Sequence, residues 1–136
     1  MFLIDTNILS ELRAPAPSAN VVAWLLAVPA DSVFVSAVTL YELQKGVENL
    51  RRRDPARARL IEQWIDRVAA AYNVLPMDGP AFRAHARLMH RRAAAATEDS
   101  MIAATAQVHN LSIATRNVRD FKSLGVKVLN PFEFAG

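Results

Sequence analysis

The chain has 136 residues and a net charge of +3, with 52% hydrophobic residues, 21% charged residues, four glycines, seven prolines and no cysteine. This balance predicts one globular domain over residues 1–136 and argues against a disordered or low-complexity chain. The absence of cysteine excludes disulfides and thiolate metal sites. No segment approaches the roughly 20 apolar residues of a membrane helix, and the strand-like start lacks a basic leader, so we expect a cytoplasmic protein.

Arginine dominates the basic residues and accounts for 13 of the 16. Its planar guanidinium suits phosphate recognition, which favours a nucleic-acid partner. A high-GC genome also enriches arginine, and composition alone does not separate the two explanations. Two arginine clusters, at 51–59 and 83–92, are each better explained as solvated faces.

The N-terminal half alternates strands with helices. Unbroken apolar runs are typical of buried parallel strands, and a serine before an apolar stripe of period 3.6 indicates a helix start. On these criteria we predict strands at 2–4 and 32–35, and helices at 6–12, from Ser18 and from Ser36. Pro15 and Pro17 end the first of these helices, and Glu42 lies within the third.

The C-terminal half continues the alternation. Asp54 and Pro55 suit an N-cap and a first helical turn, and apolar residues at helical spacing follow from Leu60 to Tyr72. We further predict strands at 74–75, 111–114 and 126–129, and helices from Asp78 to the alanines at 93–96 and at 98–109. Strands alternating with helices predict an α/β sandwich around a mostly parallel sheet.

Three carboxylates from distant parts of the chain are predicted to meet at one edge of this sheet, because functional groups gather beyond the carboxyl ends of parallel strands. Asp5 ends the first strand, Glu42 lies one to two turns into the helix after the second, and Asp99 lies in the first turn of its helix. Taken singly, Asp5 is equally well explained as a helix cap, Glu42 as a solvated residue and Asp99 as a dipole partner. Only their combination indicates a site.

Neighbouring carboxylates repel one another unless one is protonated or a cation lies between them. Mg²⁺ and Mn²⁺ prefer carboxylate and water oxygens, and they keep waters that can act as nucleophiles. The three histidines lack the spacing of a metal-binding pair on one helix face, and we interpret them as structural or surface residues. The pattern therefore predicts a Mg²⁺ or Mn²⁺ site made of oxygen ligands.

Three smaller features carry predictions of their own. Ala103, Ala104 and Ala106 allow helix 98–109 to lie close against the sheet, which would hold its first turn rigidly. Gly46 costs about 1 kcal/mol relative to alanine inside a helix, so it indicates the close approach of another backbone segment. Arg116 lies at a strand end, from which its guanidinium can reach a phosphate, and we predict that it contacts the substrate.

Five segments, taken in order along the chain, resemble one family: MFLIDTNILSEL, VSAVTLYELQKGV, TEDSMIAATA, IATRNVRDF and VLNPFEF. They are similar to the PIN-domain ribonuclease toxins of the VapC family, close to its FitB-like branch, over nearly the whole chain. The resemblance implies a three-layer α/β/α PIN fold with a central, mostly parallel sheet. It also implies a Mg²⁺- or Mn²⁺-dependent endoribonuclease, the toxin of a type II toxin–antitoxin system, with an RNA substrate, a cognate antitoxin protein and a homodimeric assembly.

The resemblance assigns the family's acidic metal ligands to Asp5, Glu42 and Asp99. The family's fourth position, often aspartate, falls at Asn117, which supplies an oxygen but no charge. Asp120, three residues later, is a candidate substitute, and the choice between the two stays open. Thr6 and Thr115 match family positions whose hydroxyls face the site, and the resemblance makes them candidates for substrate binding.

Two other interpretations of the same residues are a binding module and a phosphoacceptor domain. If the uncharged Asn117 makes the site catalytically weak, the chain is instead a PIN-fold module that binds RNA or protein. A receiver-like phosphoacceptor domain is disfavoured, because it requires an aspartate at the end of a middle strand, and neither Ser36 nor Pro76 meets that requirement.

Overall fold

The computed structural model describes residues 1–92 and 95–136. Its strands are β1 (Phe2–Ile4), β2 (Val33–Ser36), β3 (Asn73–Leu75), β4 (Ser112–Ala114) and β5 (Val128–Leu129). Its helices are α1 (Thr6–Arg13), α2 (Ala19–Ala27), α3 (Ala37–Arg51), α4 (Pro55–Ala71), α5 (Gly79–Arg91), α6 (Thr97–Val108) and α7 (Val118–Ser123). Within these residues, every helix is too short or too polar to cross a lipid bilayer.

The sheet is parallel throughout, with the strand order β3-β2-β1-β4-β5. β1 is therefore the central strand, and its Leu3 lies opposite Phe34 of β2 and Ile113 of β4. Parallel neighbours need a crossover connection, which the helices between the strands provide. This order brings the carboxyl ends of β1, β2 and β4 together at one edge of the sheet.

Consecutive residues of β1 face opposite sides of the sheet and enter different hydrophobic clusters. Leu3 belongs to a cluster that includes Ile102 of α6, together with residues of α5 and α7. Ile4 belongs to a second cluster that includes Ile8 of α1 and Trp24 of α2. Helices cover both faces of the sheet, and this confirms the predicted three-layer α/β/α fold.

Side-chain caps determine where several helices begin. Ser36 Oγ accepts a hydrogen bond from the Val38 N–H at 3.0 Å, and the Asp54 carboxylate accepts one from the Arg57 N–H at 3.2 Å. Ser18 caps α2 in the same manner. Each cap satisfies a backbone donor that has no partner within its helix. The helix starts predicted at these three positions are confirmed.

The structure departs from the prediction in the last third of the chain. α7 was not predicted, because six residues are too few to show a helical period; it is held by Phe121, whose side chain is completely buried. β5 has two residues and begins at Val128 rather than at 126. α5 ends at Arg91, and the predicted continuation through the alanines at 93–96 falls partly on residues 93 and 94, which lie outside the described residues.

The two packing predictions have opposite outcomes. Ala103, Ala104 and Ala106 are completely buried in the cluster against the sheet, which confirms the close approach of α6. The prediction for Gly46 is wrong. Apart from its own helix backbone and its chain neighbours, no heavy atom of the described residues lies within 4 Å of the place where a Cβ would be. The residue is exposed on α3 and has open space beside it.

Candidate active site

Acidic and hydroxyl side chains meet at the carboxyl edge of the central strands. Asp5 directly follows β1, and Thr115 directly follows β4, its neighbour in the sheet. α3, which begins after β2, carries Glu42, and the first turn of α6 carries Asp99. The crossovers of a parallel sheet thus place these groups in the crevice where such folds bind ligands.

Asp5 is the most constrained of the carboxylates, with only 4% of its surface exposed. Its Oδ1 accepts a hydrogen bond from the Thr6 N–H at 2.8 Å, so the residue does cap α1. Its Oδ2 accepts from Thr115 Oγ1 at 2.8 Å and from Asn7 Nδ2 at 3.2 Å. Burial raises the pKa of Asp5, while the bonds from Thr115 and Thr6 oppose that rise. The cap and site interpretations are therefore compatible.

Thr6 links Asp5 to Glu42. While its backbone N–H bonds to Asp5, its Oγ1 donates to Glu42 Oε1 at 2.9 Å and lies 3.2 Å from the buried Thr39 Oγ1. The pKa of Glu42 is raised, first by burial and then by the negative charges of Asp5 and Asp99. Thr6 thus bonds to both carboxylates and restrains the orientation of each.

Asp99 has the most strongly shifted pKa of the three, raised to about 6 from 3.8. Burial is the largest cause, followed by the charges of Asp5, Asp120 and Glu98. Its position in the first turn of α6 favours the anion, because the backbone N–H groups there have no partner in the helix. Burial and the neighbouring negative charges disfavour the anion, and they are the causes of the upward shift in the pKa of Asp99.

One cleft of about 460 Å³ contains all three carboxylates. The residues lining it are Asp5, Thr6, Asn7, Ser10, Glu11, Glu42, Asp99 and Asn117. None of these residues is basic, so no positively charged side chain among them offsets the repulsion among the carboxylates. In the described part of the chain, however, no three acidic or histidine side chains are already close enough to enclose a metal ion.

The donor set of this acidic cleft fits a hard divalent cation. Carboxylate, hydroxyl and amide oxygens line it, and no sulfur or imidazole is among its lining groups. Mg²⁺ and Mn²⁺ take such ligands and keep several waters, so they do not need a complete protein cage. The open arrangement of the carboxylates is therefore compatible with a hydrated ion.

Asn117 and Asp120 occupy different places. Asn117 lines the acidic cleft with the three carboxylates, and its N–H donates to Thr115 Oγ1 at 2.9 Å. Asp120 instead lines an adjoining cleft, which it shares with Asp99. Its charge contributes to the raised pKa of Asp99. The amide of Asn117 thus lies in the acidic cleft and the carboxylate of Asp120 beside it, and the choice of fourth ligand between them stays a prediction.

Arg116 is exposed beside the site and does not line the acidic cleft. Its guanidinium lies 4.5 Å from the centre of the Phe132 ring, a cation–π contact that holds the side chain against the 3₁₀ turn Pro131–Glu133. Its backbone N–H donates to Asn7 Oδ1 at 3.3 Å. Contact of this arginine with substrate stays a prediction.

Asn7, Ser10 and Glu11 line the acidic cleft and were not predicted from the sequence. Their spacing was a usable signal, because residues three and four apart on a helix share one face. Asn7 also donates to Asp5 and accepts from Arg116, which ties the ends of β1 and β4 together. Of the histidines, His85 bonds through Nδ1 to Ser100 Oγ at 2.9 Å between α5 and α6, in line with a structural role.

Residues 2–127 match the PIN domain family. The toxin FitB of Neisseria gonorrhoeae is 36% identical in an alignment that covers 97% of this chain and 99% of that protein. The VapC ribonuclease Y4jK of Sinorhizobium fredii is 34% identical, with 98% and 99% covered. The crystal structure of FitAcB from Neisseria gonorrhoeae superposes with a TM-score of 0.86 at 32% identity, covering 98% of this chain and 100% of that one.

Proposed function

The chain belongs to the PIN-domain family, within its VapC group of ribonuclease toxins, and on this basis we propose that it is the toxin of a type II toxin–antitoxin system. Its activity is the hydrolysis of RNA phosphodiester bonds. The observation that carries this proposal is the acidic cleft, in which Asp5, Glu42 and Asp99 converge at the carboxyl edge of a parallel sheet. Such a cleft repels a phosphate unless a cation lies between them.

We propose Mg²⁺ or Mn²⁺ as that cation, with Asp5, Glu42 and Asp99 as its protein ligands. When bound, a divalent ion supplies positive charge to the reacting phosphoryl group and lowers the pKa of a water. The raised pKa values of the three carboxylates support this assignment, since burial and mutual repulsion are the costs that a cation offsets. Whether one ion or two bind depends on the fourth position, where Asn117 contributes no charge.

The protein's own contribution is orientation. Asp5 is held by three hydrogen bonds, and Thr6 holds Glu42 at a fixed distance from it. Both carboxylates are therefore in place before substrate arrives, and little reorganisation is needed during reaction. Asp99 is less restrained. With a pKa of about 6, it is mostly ionised at pH 7, and the minority of molecules that keep the proton must release it to bind a cation.

The proposal includes a cognate antitoxin and a homodimeric toxin, both in the cytoplasm, where RNA is the substrate. A basic side chain of the antitoxin placed among the three carboxylates would replace the charge of the cation. The alternative is a PIN-fold module that binds RNA or protein with weak catalysis. It is favoured by a single feature, the uncharged Asn117 in the wall of the acidic cleft.

One assay separates these functions. The purified full chain is incubated with total cellular RNA and Mn²⁺ or Mg²⁺, with and without EDTA, and the products are resolved on gels. We expect cleavage that EDTA abolishes, and that Asp5→Ala and Asp99→Ala abolish as well. Asp66→Ala, at an exposed aspartate of α4, is the matched control. Binding of RNA without cleavage at any cation concentration would support the weak module instead.

A further inference from the structure

A second cleft, of about 260 Å³, lies where α5 and α7 end side by side. Arg91 and Arg92 line it from the end of α5, Lys122 lines it from α7, and Gln107 of α6 contributes an amide. Of the described residues that line it, none is acidic. This basic cleft is a concave surface with three cations and hydrogen-bond donors, which is the chemistry that binds phosphate.

Among the described residues, no carboxylate forms a salt bridge with a cation of the basic cleft. The salt bridges found within residues 1–92 and 95–136 have Lys45 and Arg51 as their cations. Arg92 donates from Nε to the Ser123 carbonyl oxygen at 2.9 Å and from Nη1 to the Arg91 carbonyl oxygen at 3.2 Å. These bonds fix the guanidinium but leave its charge available. Arg91 and Lys122 are exposed to solvent.

Cations are favoured at helix C-termini, and this preference by itself accounts for the position of each basic residue of the cleft. It does not explain why the basic cleft lies in a row with the acidic one. A connecting cleft of about 410 Å³ shares Arg92 and Ser123 with the basic cleft, and it shares Asp99 with the acidic cleft. The connecting cleft therefore adjoins the acidic cleft at Asp99 and the basic cleft at Arg92 and Ser123, so the three clefts form a row.

We propose that this row of clefts is the path of the RNA strand, with backbone phosphates bound by Arg91, Arg92 and Lys122 in the basic cleft. The inference rests on the proposed function, which places the reacting phosphate in the acidic cleft. Phosphate contacts of this kind position a strand without reading its sequence. The three cations attract the RNA backbone, whereas the carboxylates of the acidic cleft repel it. Because the negatively charged Asp120 lines the connecting cleft, the phosphate contacts are assigned to the basic cleft.

Salt dependence of RNA binding tests the path. Binding of a fluorescent single-stranded oligouridylate to the full chain is measured by anisotropy in EDTA, over a series of salt concentrations. Each phosphate contact to a single strand contributes about 0.7 to the slope of log K against log salt. Arg91→Ala/Lys122→Ala should weaken binding and lower the slope by about 1.4. Lys122→Gln alone should lower it by about 0.7.

The matched control is Arg59→Ala/Arg67→Ala, which removes the same charge from two exposed residues of α4. It should leave the slope unchanged, and thermal melting of every variant checks that it folds. Equal slopes for the two double variants would overturn the path. The path would also be overturned if Arg91→Ala/Lys122→Ala lost affinity for poly-L-glutamate and kept its affinity for RNA. The basic cleft would then be a site for an acidic protein segment.

Cleavage of the same RNA with Mn²⁺, measured separately, distinguishes the two claims. A chain that binds RNA through Arg91 and Lys122 but does not cleave it would refute the proposed function and retain the path. A chain that cleaves, with a slope that these residues do not affect, would refute the path alone.

Discussion

Replacing Thr115 with valine removes a hydroxyl on which several polar groups of the acidic cleft depend. Its Oγ1 donates to Asp5 Oδ2 at 2.8 Å and accepts from the Asn117 N–H at 2.9 Å, with Asn7 Nδ2 at 3.4 Å. Thr115 is completely buried, so water cannot readily take the place of the hydroxyl. Valine has nearly the same shape, and the change therefore isolates the hydrogen bonds.

The expected loss of stability follows from these contacts. A hydrogen bond to a charged group contributes about 1.5–3 kcal/mol, and a buried group left without a partner costs a similar amount. Because Asp5 keeps its bonds from Thr6 and Asn7, we expect the free energy of unfolding to fall by about 2–3 kcal/mol near neutral pH. In a domain of this size that corresponds to a decrease in Tm of roughly 8 °C.

The same change should weaken cation binding. The hydrogen bond from Thr115 is the largest effect that lowers the pKa of Asp5, so without it the pKa rises further and a proton competes better with the cation. Thermal melting in EDTA measures the first effect, and a cation titration of RNA cleavage measures the second. Thr115→Ser keeps the hydroxyl and is the control. The reasoning is wrong if the valine and serine variants have the same Tm and both reach half-maximal activity at the cation concentration that the wild type needs. The hydroxyl of Thr115 would then not support Asp5.

Three further predictions concern the acidic residues. Asp5→Ala should abolish cleavage and lower the Tm measured in EDTA while the melt stays cooperative, because the change removes the N-cap of α1 and the acceptor of three hydrogen bonds as well as a repelling charge; a Tm equal to that of the wild type would contradict this. In EDTA the free energy of unfolding should fall as the pH rises from about 4 to about 6, since the pKa of Asp99 is raised to about 6 from 3.8 and the folded chain holds that proton more tightly. Melting curves across this range should show that Asp99→Asn makes the fall smaller, with the remainder due to Asp5 and Glu42, whose pKa values are also raised, and that Asp66→Asn leaves the fall unchanged. Asn117→Asp should lower the Mg²⁺ concentration needed for half-maximal cleavage, and Asp120→Ala should have little effect. Loss of cleavage in the Asp120 variant, with an unchanged Mg²⁺ requirement in the Asn117 variant, would identify Asp120 as the fourth ligand.

Local signals in the sequence determined the order of strands and helices. Unbroken apolar runs marked β1 and β2, and Ser18, Ser36 and Asp54 marked helix starts, because strand burial and N-capping act within a few residues. The carboxylates at 5, 42 and 99 were found on the same grounds, since each follows a recognisable strand end or helix start. Their roles in binding a cation remain a proposal.

Only the tertiary structure decided which distant groups touch. Thr115 bonds to Asp5 across a separation of 110 residues, because β4 lies beside β1 in the sheet. No local period encodes that neighbour, and none distinguishes Asn117 inside the acidic cleft from Asp120 beside it. The basic cleft arises likewise from two helix ends that meet in space. Gly46 shows the converse: helix propensity alone indicated a close contact, but whether another segment approaches depends on packing that the local sequence does not specify.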